Sequence, residues 1–590
     1  MAHDIRDYLE IRTAHPMGFS PDGSKLLVGS NLSGTMQLYR MPSAGGSLTQ
    51  VTSFDEPVTG RYLRSADRIV FGIDEGGNER TQIHLIDDDG SDHVDLTKDP
   101  EHIHRPGGTS RDGRLLVHAC NRRNGTDFDV FVRDLASGQE RCVFDRGGLN
   151  WAAGFSPDGR WVGVIAYTQR PMDAELYLAS VDGDEVVHCT PHGDEAMYGM
   201  PAWLPDSSGF YFPSDEDREF ASIARYDMAS RSWTWALETS WDSSCDVDDV
   251  GRNLLVETNE EGYSVLRLYD PATLALRTEI ELPFRGTVPA AQFSRDGSKL
   301  AYSIVGAQCP GDTWVYDIDA QTSRRVTNSP NTVEEFVEPA LHRFRSFDGE
   351  SVPVFVYGSA DGPRPAVVWV HGGPESQERP IFNPIVQYLV SRGYVVLAPN
   401  VRGSTGYGKR YHHLDDKRKR LDSVADLASL HAWASAEKIV DPSRVAVMGG
   451  SYGGFMTLAA LAFQPTLWAA GVDVVGIANW VTFLENQPPW RRRFREREYG
   501  SLDDDREFLV SASPLTHADE IRAPLFVIHG RNDPRVPLVE AEQIHAAVSS
   551  KGLASGFLVY DDEGHGLAKL KNRLDAYPKA VDFLDGVLRS

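Results

Sequence analysis

The chain has 590 residues, and 59 Lys and Arg against 85 Asp and Glu leave a net charge of −26. Hydrophobic residues at 41% and charged residues at 24% are those of a folded protein, which excludes wholesale disorder. So acidic a surface repels nucleic acid and anionic membrane, so neither is expected as a partner. No apolar run approaches the roughly 18 residues of a membrane span. The first residues are charged rather than apolar, and the five cysteines contain no C-x-x-C pair. A cytoplasmic protein with no secretory leader, disulfide framework or zinc site is the expectation.

Residues 1–15 read as a short charged extension, helical and free to dock on either neighbouring region. From residue 16 the chain repeats. Phe19-Ser20-Pro21-Asp22-Gly23 returns as Phe155-Ser156-Pro157-Asp158-Gly159 and Phe293-Ser294-Arg295-Asp296-Gly297, with weaker copies between them. Taking Asp22, Asp67, Asp112, Asp158, Asp206, Asp249 and Asp296 as markers, the steps are 45, 45, 46, 48, 43 and 47 residues. Each marker is a polar turn that feeds short β-rich runs. A period near 45 with several strands per unit predicts a β-propeller, and seven markers predict seven blades over residues 16–330. Glu101-His102-Ile103-His104 within it reads as ordinary polar propeller residues rather than a pair of metal ligands.

Residues 331–345 read as a linker. The net charge divides there, −22 over residues 1–330 and −4 over residues 331–590. Beyond it, over 346–590, the rhythm changes to continuous apolar runs at 366–370, 394–398, 445–448, 471–475, 524–529 and 556–560. Helical stretches such as 422–437, 454–463 and 539–548 alternate with them. That pattern predicts a mostly parallel sheet covered by helices on both faces, the α/β-hydrolase arrangement. The basic run Lys417-Arg418-Lys419-Arg420, flanked by acids, reads as a solvated helix face.

Gly449-Gly450-Ser451-Tyr452-Gly453 lies between a predicted strand and a predicted helix, the context in which G-x-S-x-G presents a nucleophilic serine. A serine hydroxyl needs a base, and the order Ser, acid, His points downstream. Asp533, in a loop after the strand at 524–529, is the expected acid, and His565, flanked by glycines after the last strand, the expected base. Asp561 and Asp562 are competing acids and His529 a competing histidine at a strand end. For the oxyanion, the N–H of Tyr452 and the N–H of Gly373, in His371-Gly372-Gly373-Pro374 after the strand at 366–370, are the expected donors. His371 reads as structural. Glu375, close to the reacting carbonyl, is the expected acceptor for a substrate amine, with Arg379 as its alternative partner.

His-Gly-Gly-Pro at 371–374, Asn-Val-Arg-Gly-Ser-Thr-Gly-Tyr-Gly at 400–408, Gly-Gly-Ser-Tyr-Gly-Gly at 449–454, His-Gly-Arg-Asn-Asp at 529–533 and Gly-His-Gly at 564–566 resemble the prolyl oligopeptidase family of serine peptidases. Tyr452 after the nucleophile is similar to the acylaminoacyl-peptidase and bacterial dipeptidyl-aminopeptidase-like branch. The resemblance implies a propeller that caps the active site and excludes folded proteins, and it implies Arg491, in Trp490-Arg491-Arg492-Arg493, as a substrate-binding arginine. Asp215-Glu216-Asp217 is acidic but lacks the pattern of the paired glutamates that hold the substrate amine in membrane-bound dipeptidyl peptidases. The expected function is hydrolysis of short peptides or aminoacyl amides through an acyl-enzyme, with cleavage at a free N-terminus and no metal or organic cofactor. Removal of N-acylated residues, endo-cleavage, ester hydrolysis and a non-catalytic scaffold are the alternatives, and homo-oligomerisation is left open.

Overall fold

The computed structural model describes residues 3–589 apart from 334, 359–361 and 554. Residues 1–2 of the predicted extension and residue 334 of the predicted linker therefore lie outside the described residues. Seven four-stranded antiparallel sheets follow one another from Ala14–Phe19 to Thr322–Arg325, each built from four consecutive strands in sequential order. They are the seven blades of a β-propeller.

The repeated marker is the turn between the first and second strands of a blade. In the first copy Ser20 Oγ donates to Asp22 Oδ1 (2.7 Å) and accepts from Lys25 N–H (3.0 Å), while Gly23 takes φ +72°. Ser156 and Asp158 repeat the contact at 2.6 Å, as do Ser294 and Asp296. The serine and aspartate thus satisfy backbone groups that the tight turn leaves unpaired, and the glycine supplies a left-handed conformation. One blade cannot bury both of its faces, so apolar residues pack between neighbours. The last blade closes on the first through Ala301, Val315 and Val326 against Ala14, Phe19, Leu26 and Val28, with Thr313 Oγ1 donating to Ala14 O (3.1 Å).

The second sheet has eight strands, here numbered β1 (Ala340–Arg345), β2 (Ser351–Tyr357), β3 (Arg364–Val370), β4 (Val395–Pro399), β5 (Val440–Gly450), β6 (Ala470–Val474), β7 (Leu525–Gly530) and β8 (Ser555–Tyr560). Their order is β1-β2-β4-β3-β5-β6-β7-β8. β3 to β8 are parallel to one another, and β1 and β2 are the antiparallel edge. The helices used below are α1 (Pro384–Ser391), α2 (Arg420–Ala436), α3 (Tyr452–Phe463), α4 (Pro489–Tyr499), α5 (Leu538–Ser549) and α6 (Leu570–Leu588). α2, α3 and α5 contribute to the apolar layer on one face of the sheet, α1 and α6 to that on the other.

Two readings need correction. The linker is shorter than 331–345, because 340–345 is an edge strand of the hydrolase sheet. Only Phe344 of its six residues is buried, so the strand has no apolar alternation to betray it. At the N-terminus the first propeller strand already begins at Ala14. Residues ahead of it form a capped helix, Ile5–Leu9, whose Ile5, Tyr8 and Leu9 pack with Tyr388 and Leu389 of α1 and Ala576, Ala580 and Leu584 of α6. The chain thus starts on the hydrolase, builds the propeller and returns.

Candidate active site

β5 turns directly into α3 at Ser451, which takes φ +58° and ψ −118°. A non-glycine residue there is strained, and the strain holds the side chain out at the carboxyl end of the sheet. The neighbouring glycines are required by contact. A Cβ on Gly449 would lie 2.4 Å from Gly453 O, and one on Gly453 would lie 2.1 Å from Val370 O. Ser451 N–H donates to Val474 O on β6 (2.9 Å), and Ser451 O accepts the first turn of α3 from Phe455 N–H (3.0 Å).

The loops after β7 and β8 bring Asp533 and His565 together, with His565 Nδ1 2.7 Å from Asp533 Oδ2. The other carboxylate oxygen, Oδ1, accepts from the N–H groups of Arg535 (2.7 Å) and Val536 (2.9 Å), which fix its orientation. The side chain of Asp533 is fully buried, whereas His565 keeps 12% exposure. No hydrogen bond joins Ser451 Oγ to His565 among the described residues, and such contacts commonly tighten only when substrate binds. The competing acids are paired elsewhere, while His529 Nε2 stands 3.7 Å from Asp533 Oδ2. Asp561 pairs with Arg531, and Asp562 with Lys569 and Lys571. His529 is buried, bonds Val536 O (2.9 Å), and has its pKa lowered by burial, so it stays neutral.

Beside Ser451 lies the loop after β3. A Cβ on Gly372 would come within 3.4 Å of Ser451 Cβ, so this loop runs close beside the serine. Gly373 follows at φ +130°, and its carbonyl accepts from Tyr499 Oη (3.3 Å). His371 is held between Gly372 O and Ser404 Oγ, both at 2.8 Å, which keeps it out of the reaction centre. Tyr452 is the first residue of α3, so its N–H is one of the free donors of a helix start. Its ring is buried, and its hydroxyl meets Ser423 Oγ (2.9 Å), Arg420 Nη1 (3.1 Å) and Asp415 Oδ2 (3.1 Å). Arg420, last of the basic run read as a solvated face, is instead 1% exposed and ion-paired with Asp415 and Glu498. The run splits because residues 417–419 form an exposed 3₁₀ turn and residue 420 begins α2, turned inward.

The two expected substrate-binding residues carry partners that were not foreseen. Glu375 Oε2 pairs with Arg495 Nη1 (3.0 Å) on α4, and not with Arg379, which donates to Gly262 O (2.8 Å) and Ser264 Oγ (3.0 Å) in the propeller. Arg491 Nη2 pairs with Glu79 Oε2 (2.6 Å), across the domain boundary, and burial lowers its pKa to about 10. Glu79 also pairs with Arg535, two residues past Asp533. Next to it Gly76 O accepts from Asn532 Nδ2 (2.9 Å), and Gly77 lies against Gly564, so one propeller loop touches the loops of both Asp533 and His565. A cavity of about 670 Å³ opens between Glu79, His102, Arg491 and Asn532. Glu79 and Arg495 escaped sequence reasoning because their partners are 120 to 456 positions away, and Arg420 because Glu498, 78 positions on, joins Asp415 around it.

A strained serine between strand and helix, a carboxylate–histidine pair on the next loops and a propeller over them define a serine hydrolase of the capped α/β type. Residues 380–590 match the model of the prolyl oligopeptidase family. The chain is 29% identical to dipeptidyl aminopeptidase BIII of Pseudoxanthomonas mexicana over 94% of its length and 84% of the other's. It is 39% identical to dipeptidyl peptidase family member 6 of Caenorhabditis elegans over 38% of this chain and 31% of that one. The whole fold superposes on a puromycin-hydrolyzing peptidase of Mycobacterium tuberculosis with a TM-score of 0.86 at 21% identity, covering 99% and 96% of the two chains. The protein is a serine peptidase with peptide substrates. Among the described residues no helix is long and apolar enough to cross a membrane.

Proposed function

We propose that this peptidase releases one or two residues from the free N-terminus of short peptides. Ser451 Oγ attacks the scissile carbonyl while His565 takes its proton. Asp533 holds the imidazole with Nδ1 protonated, so that Nε2 is the free base. The N–H groups of Tyr452 and Gly373 receive the oxyanion. His565 then protonates the leaving amine, and water releases the acyl-enzyme by the reverse steps.

The observation that carries the choice of a free N-terminus is Glu375. It lies three residues beyond Gly372, which runs close beside Ser451, and among the described residues its Oε2 is the oxygen engaged by Arg495. Oε1 is left for an incoming ammonium group, which is largely charged near neutral pH at a reference pKa of roughly 7.7–8.0. An acyl cap would remove that charge. The dipeptidyl aminopeptidase named above agrees with this reading, and the propeller over the site accords with short substrates. Arg491, held by Glu79, is read as the second substrate-binding residue.

The test is Glu375→Gln assayed on an aminoacyl-anilide, a dipeptidyl-anilide and their N-acetyl forms. A charge-assisted contact of this kind contributes about 1.5–3 kcal/mol, or roughly 10–150-fold. A loss of that size confined to the free-amine substrates is expected. A wild-type enzyme that prefers the acetylated forms would instead make it an acylaminoacyl-peptidase.

A further inference from the structure

The third blade carries a cluster that the peptidase reaction does not use. Its first strand, His104–Thr109, pairs with Leu115–Cys120 in a register that sets Cys120 directly opposite His104. Directly opposed residues of an antiparallel pair project to the same face. His104 and Cys120 therefore lie side by side, and both are buried. Asp99, on the segment that enters the blade, reaches the same point. His104 Nε2 is 3.2 Å from Asp99 Oδ2 and 3.5 Å from Cys120 Sγ. One donor atom from each of the three residues lies within 4.8 Å of the others.

From these residues we infer a divalent transition-metal site, suited to Zn2+, formed by Asp99, His104 Nε2 and Cys120 Sγ. A tetrahedral zinc ion with arms of about 2.0–2.3 Å has donor edges of about 3.4 Å between nitrogen and oxygen and about 3.6 Å between nitrogen and sulfur. The separations found are close to those edges. As a direct charge-assisted hydrogen bond, 3.2 Å is long, the usual range being about 2.7–2.9 Å. Cys120 Sγ accepts a hydrogen bond from Arg122 N–H (3.3 Å), which fixes its direction.

The surroundings are those of a metal ligand held from behind. Asp99 Oδ1 is bound by His102 Nδ1 (2.8 Å), which leaves Oδ2 turned toward His104 and Cys120. From sequence, Glu101-His102-Ile103-His104 reads as ordinary polar propeller residues. The strand begins only at His104, so His102 acts from the preceding loop through Asp99. His104 Nδ1 has no partner, so the ring is positioned by Asp99 and Cys120. Binding displaces the Cys120 thiol proton to solvent, and Asp99 and the thiolate then balance the two charges of the ion. The fourth position is left to water. His102 also borders the cavity that holds Glu79 and Arg491, so the ion would fasten the entry segment of the third blade at the face toward the hydrolase.

The test uses the full-length protein, stripped with EDTA, desalted and titrated with Co2+. One equivalent should bind with a sulfur-to-cobalt charge-transfer band in the near ultraviolet, and Zn2+ should displace it. Cys120→Ser should abolish the band, whereas Cys142→Ser, at an exposed cysteine, should leave it unchanged. His102→Ala should weaken Co2+ binding by about 10–100-fold, the effect of losing an outer partner. Failure of the wild-type protein to bind a stoichiometric ion, which needs no variant to fold, or survival of the band in Cys120→Ser, overturns the assignment.

Discussion

Replacing Asp533 with Asn isolates the part that this carboxylate plays. Its Oδ1 accepts the N–H groups of Arg535 and Val536 at 2.7 and 2.9 Å, and its Oδ2 faces His565 Nδ1 at 2.7 Å. An amide has one acceptor oxygen, and turning its NH2 toward the two backbone donors would leave both unpaired at about 1–3 kcal/mol each. The oxygen therefore stays with the backbone and the NH2 points at His565. That forces the imidazole to present a lone pair at Nδ1 and carry its proton on Nε2, the wrong tautomer for a base. A tautomer error of this kind costs about 10⁴-fold in kcat, roughly 5 kcal/mol of transition-state stabilisation. Because the backbone contacts survive, KM and Tm should change little. Steady-state kinetics on an aminoacyl-anilide, normalised by circular dichroism of the folded variant, measures this. Retention of more than about a tenth of wild-type kcat, or inactivation by Asp562→Asn instead, would refute the assignment.

Asp473 on β6 is fully buried with both carboxylate oxygens unpaired, and burial raises its pKa to about 7. A raised folded-state pKa means that its contribution to stability is complete below about pH 4 and lost as pH climbs through about 7. Asp473→Asn should therefore gain stability over wild type with rising pH, by at most about 4 kcal/mol at pH 8, and a Tm difference that does not vary with pH would contradict this. Glu79→Gln weakens the ties from the propeller to Arg491 and Arg535, and kcat/KM should fall about ten-fold while global stability shifts by less than about 1 kcal/mol. Equal activity of the variant would show that the loop carrying Glu79 does not hold the site in place. Peptides of a few tens of residues or fewer should be cut and folded globular proteins spared, and rapid digestion of a native globular protein would count against the propeller as a barrier.

Much of the architecture is written locally. The propeller is legible because each blade repeats the same turn, and the turn needs its Ser, Asp and Gly within five positions, as at Ser20, Asp22 and Gly23. The hydrolase sheet is legible for a similar reason: strand segments buried on both faces, such as β4 and residues 445–448 of β5, must be continuously apolar wherever they sit. Ser451 could be located because the sharp turn from β5 to α3 admits no Cβ at Gly449 or Gly453, which leaves a local signature. Asp533 and His565 followed from the order of the strands that carry them.

What escaped has no local signature. The edge strand β1 buries one side chain and so looks like a linker. Arg420 is indistinguishable from Lys417 or Arg418 until Asp415, Glu498 and the Tyr452 hydroxyl close around it. Glu375 finds Arg495 rather than its sequence neighbour Arg379, because α4 is folded over the loop after β3 and Arg379 is drawn away to the propeller. Asp99, His104 and Cys120 become a cluster only through the register of two strands. Sequence determined the turns, the buried strands and the sharp strand-to-helix turn at Ser451, since backbone geometry and burial act within a few residues. Tertiary structure decided which charges meet, because a charge takes whichever opposite partner the packing brings within about 4 Å and chain distance does not enter that energy.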